Sequence, residues 1–115
     1  MPNLVMEYAD PVAERVSIPG LLEDLHQVLL GCGLFEADSV KSRSYPCHNW
    51  LVGDEGDLHS FIHIELTMLS GRSAEQKREL ARELMVILEQ HASTINSLTI
   101  DIRDMDTECF LKVCC

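Results

Sequence analysis

Basic residues are scarce in this 115-residue chain, which holds 9 Lys and Arg against 19 Asp and Glu. The formal net charge of −10 argues against nucleic acid or an anionic membrane surface as a partner. Long apolar runs are also absent, since no stretch approaches the roughly 20 residues of a membrane span. An anionic small molecule would therefore need a local cationic site set against a repulsive global field.

The cysteines have neither the even number nor the regular spacing of a disulfide framework. The chain has five cysteines, and the last two are adjacent. They are Cys32, Cys47, Cys109, Cys114 and Cys115. We therefore expect free thiols in a reducing compartment, the cytoplasm. The length and the hydrophobic fraction of 46% predict one domain over residues 1–115 with a modest core.

The first half of the chain shows a β-α-β pattern. Apolar and polar side chains alternate over residues 3–8, which predicts a strand. Ser17 is a good helix N-cap, Pro19 is tolerated in a first helical turn, and apolar residues then recur at helical spacing as far as Gly31. A second strand is predicted over residues 39–50.

The second half repeats this plan after a turn at residues 53–57. Residues 59–69 alternate as a long strand, and the "SAEQ" of Ser73–Gln76 is a capping box that opens an amphipathic helix. A last strand is predicted over residues 98–103. The two units, about 2–50 and 59–106, form a degenerate internal repeat.

Two consecutive β-α-β units predict an α+β fold of two layers. Right-handed crossovers place both helices on one face of a four-stranded mixed sheet. The other sheet face would be uncovered, and it carries Val5, Glu7, Lys41, Arg43, Phe61, His63 and Glu65. Because two-layer sheets usually cover such a face by assembling, we expect an oligomer.

Residues 62–106, which include "GRSAEQK", resemble a complete subunit of the short tautomerases. Members of that family begin with an N-terminal proline and a strand, followed by "GRS-x-EQK", a helix and a second strand. The whole chain resembles the longer 5-carboxymethyl-2-hydroxymuconate isomerases, which hold two such units. The shared features are "MP" at Met1–Pro2, Glu7, "PGL" at residues 19–21, "SR" at residues 42–43, Trp50 and "GRS" at residues 71–73.

The resemblance implies a homotrimer with the tautomerase (MIF-like) fold. It also implies an isomerase without a cofactor that moves a proton within an unsaturated keto acid, in the breakdown of aromatic compounds such as homoprotocatechuate. The free amine of Pro2, exposed by removal of Met1, would act as general base and then as general acid. The second unit would have no such amine, and Ile62 is taken as the position equivalent to Pro2.

The resemblance also implies the substrate contacts. Arg72 matches the arginine of "GRS", which contacts carboxylate or carbonyl oxygen in the family. Lys41 stands where relatives have an arginine, and Arg43, on the same strand face, is the alternative carboxylate anchor. Trp50 is a candidate pocket wall. Burial and the two neighbouring cations, Arg72 and Lys41, would keep the Pro2 amine neutral near pH 7.

Other interpretations of these residues stay open. The cations could be ordinary solvated side chains, and Trp50 could be a packing residue. A zinc site formed by Cys47, His48, His59 and His63 matches no standard spacing. A binding protein with weak tautomerase activity is the second alternative. Turnover of phenylenolpyruvate separates an enzyme from a binder.

Overall fold

The chain folds into a sheet layer and a helix layer in the computed structural model, which describes residues 1–113. The elements are, in order, β1 (Asn3–Ala9), α1 (Ile18–Gly31), β2 (Lys41–Cys47), β3 (Phe61–Leu69), α2 (Ala74–Ala92) and β4 (Ser97–Met105). Short 3₁₀ helices lie at Asp10–Glu14, Ala37–Ser39, Gly56–Leu58 and Thr107–Cys109. The predicted α+β class with two β-α-β units is confirmed.

The four strands form one mixed sheet in the order β2-β1-β3-β4. The outer pairs, β1 with β2 and β3 with β4, are parallel, and the central pair of β1 and β3 is antiparallel. The two units are therefore related by an approximate two-fold axis between the central strands. Within residues 1–113 no helix combines the length and the apolar character of a membrane span.

The strand register relates the starts and the ends of the two units differently. Asn3 pairs with Lys41 at the start of the first unit, and Phe61 pairs with Ser97 at the start of the second. Counted from these starts, the residue that matches Pro2 is Ser60. Counted from the strand ends, Ala9 and Leu69, it is Ile62, the position predicted from the sequence, because β3 is two residues longer than β1.

The core lies between the sheet and the helices. Alternate residues of β1 and β3 are fully buried, and the helices bury their apolar faces against them. The largest of the buried side chains are Leu4, Met6, Leu21, Leu25, Leu29, Ile62, Ile64, Leu66, Met68, Leu80, Leu84 and Leu88. Ser17 caps α1, and the predicted capping box of Ser73 and Gln76 is present with both of its hydrogen bonds.

The second strand is shorter than predicted at both ends. Ser39 belongs to a 3₁₀ turn, where its hydroxyl donates to the carbonyl oxygen of Glu36 at 2.7 Å. At the other end β1 stops at Ala9, opposite Cys47, so the chain has no strand partner further on. Conversely, β4 extends to Met105 because β3 still offers it a partner there.

The sheet face opposite the helices is open in the single chain. On the helix side of β2, Ser42 lies 2.7 Å from Nδ1 of His26 of α1, so the flanking Lys41 and Arg43 point away from the helices. Val5 is only partly exposed on this face, and His63 contacts Thr99 of the neighbouring strand at 2.6 Å. The open face thus mixes apolar and polar groups, as the sequence predicts.

Candidate functional site

Pro2 lies at the junction of the two parallel strands of the first unit. It is buried, and its carbonyl oxygen accepts a hydrogen bond of 3.2 Å from the backbone N–H of Lys41. This bond continues the β1–β2 ladder by one residue beyond Asn3. The N-terminus is therefore held by the sheet rather than projecting into solvent.

A cavity of about 240 Å³ opens beside this N-terminus. Three chain segments form it: the connection after α1, the end of β3 with the turn that follows, and the C-terminal segment. Its lining residues are Met1, Leu34, Phe35, Glu36, Ser39, Leu69, Arg72, Phe110 and Lys112. Apolar walls with a few charged groups are typical of small-molecule sites.

Arg72 is fixed at this cavity by backbone acceptors and an aromatic ring. The preceding Gly71 has φ of +123°, a conformation that glycine adopts without a Cβ clash, so the chain can turn sharply after β3. The Arg72 guanidinium donates to the carbonyl oxygens of Leu69 at 3.2 Å and Leu34 at 2.6 Å. It also lies 5.2 Å from the ring centroid of Phe35. Its position is set before any ligand arrives.

Lys41 and Arg43 differ in their distance from the N-terminus. The Nζ of Lys41 lies 3.4 Å from the sulfur of Met1, a weak acceptor that a carboxylate could replace. Arg43 instead donates to Oδ1 of Asn3 at 3.3 Å, and neither Lys41 nor Arg43 is among the residues lining the cavity. Of the two alternative anchors, Lys41 is the one next to the N-terminus within a single chain.

The charges around the N-terminus act on its amine. The pKa of the Met1 α-amine is lowered from its ordinary value, and burial is the largest cause. Positive charges add to this effect, in decreasing order Arg72, Lys112 and Lys41, while Glu36 opposes it. The surroundings of the chain start therefore favour a neutral amine.

Trp50 lies away from this cavity in the single chain. It follows β2, whose six residue steps carry the chain about 20 Å from Lys41. Its indole N–H donates to the carbonyl oxygen of His59 at 2.9 Å. A second cavity of about 540 Å³ surrounds it, lined by His48, Asn49, Trp50, Leu51 and Asp57. Trp50 can approach Pro2 only if it comes from another subunit.

Among the lining residues that the sequence did not indicate, two come from the C-terminal segment, Phe110 and Lys112. They belong to a short segment after β4 that follows neither a helical nor a clear strand pattern. The sequence signal was the charge of Lys112, a cation close to the C-terminus of an acidic chain, but no spacing tied it to the "GRS" turn. The fold alone brings it to the N-terminus.

The alternative metal site finds no geometric support. No group of three or more His, Cys, Asp or Glu side chains is arranged to hold a metal ion within residues 1–113. His48 pairs with Asp10 at 2.7 Å, and His63 contacts Thr99. The Cys47 thiol lies 4.0 Å from Glu7, and burial, followed by that carboxylate, raises its pKa.

The four-stranded mixed sheet with two helices is the tautomerase (MIF-like) fold. The family model described as 5-carboxymethyl-2-hydroxymuconate isomerase matches residues 2–112, and the chain belongs to that family. The Escherichia coli 5-carboxymethyl-2-hydroxymuconate Delta-isomerase is 24% identical over 95 residues, which cover 83% of this chain and 75% of the relative.

Solved structures agree with this assignment. A 5-carboxymethyl-2-hydroxymuconate isomerase from Deinococcus radiodurans R1 is 28% identical, with a TM-score of 0.87, and the match covers 97% of this chain and 88% of that one. A fused 4-OT symmetric trimer gives a TM-score of 0.73 at 13% identity over 94% of this chain and 91% of the other, a likeness that concerns the fold alone.

Proposed function

We propose that this chain catalyses the isomerisation of 5-carboxymethyl-2-hydroxymuconate or a close analogue, with the Pro2 amine as general base and then general acid. Family membership supports the isomerase activity. The observation that carries the assignment of Pro2 is the position of the N-terminus, which lies at a cavity with Arg72 fixed beside it and an amine of lowered pKa.

The proposed mechanism requires removal of Met1, because an internal proline nitrogen is an amide without a basic lone pair. Met1 lines the cavity, and its sulfur contacts Lys41. A chain that keeps Met1 would therefore lack the base and would also fill part of the substrate volume. Removal of Met1 would expose the secondary amine of Pro2 to the same cationic surroundings that lower the pKa of the Met1 amine.

The chemistry follows from these groups. The neutral amine takes the proton of the 2-hydroxyl group of this enol, and the dienolate that remains carries its negative charge on that oxygen and along the diene. Arg72 stabilises that oxygen, since preorganised donors act most strongly where charge develops. The ammonium of Pro2 then gives the proton to a carbon of the diene, which leaves a keto group and regenerates the base. No electrons are gained or lost, so the cycle balances without a cofactor.

The substrate is strongly anionic. The compound in the family name carries the two carboxylates of muconate and a third on its carboxymethyl group. A chain of net charge −10 must therefore concentrate cations at the site, as it does with Arg72 and Lys41 near the N-terminus. Lysine in place of the family arginine keeps the charge but loses the bidentate fork, so Lys41 would anchor a carboxylate as a point charge.

We also propose a homotrimer of single-domain subunits that acts in the cytoplasm. The open sheet face supports assembly, because it carries partly exposed apolar groups such as Val5 that a partner would cover. The fused 4-OT protein of the same fold is a symmetric trimer. Assembly of this kind would bring residues of another subunit, Trp50 among them, within reach of the Pro2 cavity.

The central experiment compares wild type with Pro2→Ala on 5-carboxymethyl-2-hydroxymuconate and on phenylenolpyruvate, with N-terminal mass spectrometry of each preparation. We expect Pro2→Ala to lower kcat/KM by roughly 10²–10⁴-fold, the usual contribution of a general base. Pro19→Ala, an exposed proline in the first turn of α1, is the matched control and should stay close to wild type. Activity should also follow the fraction of chains without Met1.

The pH profile gives an independent check. A base of lowered pKa is neutral at lower pH than an ordinary amine, so kcat/KM should rise with pH and level off above the depressed pKa. Full activity from chains that all keep Met1 would refute the proline mechanism. A processed wild type that binds the enol without turning it over would favour the alternative, a binding protein of the same fold.

A further inference from the structure

The C-terminal segment is tied to the loop that carries Arg72. After β4, the side chain of Asp106 accepts a hydrogen bond of 3.0 Å from the backbone N–H of Glu108 and opens a short 3₁₀ helix. The hydroxyl of Thr107 in that helix lies 2.7 Å from the hydroxyl of Ser70, two residues before Arg72. This contact directs the chain that follows back across the N-terminal cavity.

Side chains alternate in direction along residues 110–113. Phe110 and Lys112 line the cavity, whereas Leu111 and Val113 are 93% and 90% exposed. Lys112 forms no ion pair within residues 1–113. Its ammonium group is thus near the N-terminus without a carboxylate partner in the part of the chain that the structure describes.

Three cations therefore surround the N-terminus, against one carboxylate. Arg72 is held by backbone carbonyls, the ammonium of Lys41 lies 3.4 Å from the Met1 sulfur, and Lys112 enters from the C-terminal segment. Lys112 also lowers the pKa of the terminal amine, with an effect ranked ahead of that of Lys41. Glu36 is the opposing charge. The local excess of positive charge matches a ligand with several carboxylates.

We infer that Lys112 is a specificity-determining residue of the Pro2 site, and that it binds a second carboxylate of the substrate, distant from the keto acid group. This inference rests on the proposed function. Arg72 and Lys41 would hold the keto acid end beside the amine, while Lys112 discriminates in favour of polycarboxylates. A substrate with one carboxylate makes no use of it.

The test compares two substrates across four proteins, all without Met1. The variants are Lys112→Gln, the charge-conserving Lys112→Arg, and Arg15→Gln, an exposed cation beyond the far end of β1 that matches the loss of one charge. For 5-carboxymethyl-2-hydroxymuconate, Lys112→Gln should raise KM roughly 3- to 5-fold with little change in kcat, the upper range for an exposed ion pair. For phenylenolpyruvate, with one carboxylate, KM should change less than about twofold.

A second readout needs no turnover. The pKa of the terminal amine, followed by NMR titration, should rise in Lys112→Gln because a neighbouring positive charge is lost, and it should stay low in Lys112→Arg. Equal KM changes for both substrates, or none for either, would overturn the inference. If the wild type turns over neither compound, the proposed function fails. The titration then decides alone: a raised pKa supports the place of Lys112 in the site, and an unchanged pKa overturns it.

Discussion

The two β-α-β units share one backbone plan but end in different chemistry. At the start of the first unit, the N–H of Lys41 donates to the carbonyl of Pro2 at 3.2 Å. At the start of the second, the N–H of Ser97 donates to the carbonyl of Ser60 at 3.3 Å. The N–H of Ser60 is also used, since it donates to Oδ1 of Asn96 at 2.9 Å. Repetition thus reproduces the ladder, but only the first unit can offer a chain terminus as a base.

The cavities near the starts of the two units differ in size and in the charge of their lining residues. The cavity at Pro2 is the smaller, about 240 Å³, yet Arg72 and Lys112 line it. The cavity around Trp50 is about 540 Å³, and its lining includes Asp57 and His48 but neither lysine nor arginine. The Trp50 cavity is thus the larger, and the cavity at the N-terminus is the one with positive charge. An anionic substrate favours the positively charged cavity, because function depends on the site rather than on the fold that carries it.

The largest expected effect concerns assembly, because the proposed site includes residues of a second subunit. A monomer that is active alone would have no need of them. Val5→Asp places a charge on the open face of the central strand β1 and should dissociate the proposed trimer and abolish turnover. Val86→Asp, at a half-exposed position on α2 in the other layer, is the matched control. Sedimentation equilibrium should give about three times 13.0 kDa for wild type and control. A wild type that sediments as a fully active monomer would contradict this prediction.

The next effect tests the fixed cation of the Pro2 end. Arg72→Ala should lower kcat/KM by roughly 10²–10³-fold, because it removes a preorganised donor at the oxygen where charge develops. Arg82→Ala is the control, since Arg82 pairs only with Glu79 on the exposed face of α2 among the described residues. Steady-state kinetics on the same substrate measures both. An equal loss in the two variants would assign the effect to general charge or stability.

A smaller effect distinguishes the two candidate anchors on β2. Lys41→Ala should raise KM by about tenfold with kcat nearly unchanged, because a carboxylate contact is similar in the ground and transition states. Arg43→Ala should change KM by less than about twofold, since in the single chain its guanidinium contacts Asn3, whereas the ammonium of Lys41 reaches Met1. The reverse result would move the anchor to Arg43 and imply that a neighbouring subunit completes the site.

The sequence predicted the fold better than it predicted the site. Period-two alternation, the Ser17 cap and the capping box at Ser73 are local signals, and the structure confirms each of them. The end of β2 was missed because it depends on where its partner β1 stops, opposite Cys47.

Within the candidate site, the sequence predicted which residues lie near the N-terminus only where they belong to a recognisable motif. Arg72 was identified through the "GRS" turn, and Lys41 through its place in the first unit. Lys112 lies 40 positions after Arg72 in the sequence and reaches the cavity through the Ser70–Thr107 contact, which no local pattern predicts. The roles of Pro2, Arg72, Lys41, Arg43 and Trp50 stay predictions until the variants are measured.

The smallest expected effect is that of substitutions at Ser60, at the start of the second unit. Ser60→Ala removes a hydroxyl but keeps the backbone N–H that bonds to Asn96, so kcat/KM should change by less than about twofold. Ser60→Pro is the sharper variant, because it places a proline directly before the second parallel ladder, as Pro2 stands directly before the first. Its nitrogen would still be an amide, and the bond to Asn96 would be lost, so stability should fall by about 1–3 kcal/mol without any gain in activity. In a Pro2→Ala background Ser60→Pro should restore nothing, as measured by kcat/KM together with thermal unfolding. Recovery of activity in that double variant would show that proline acts here through ring shape and not through a free amine.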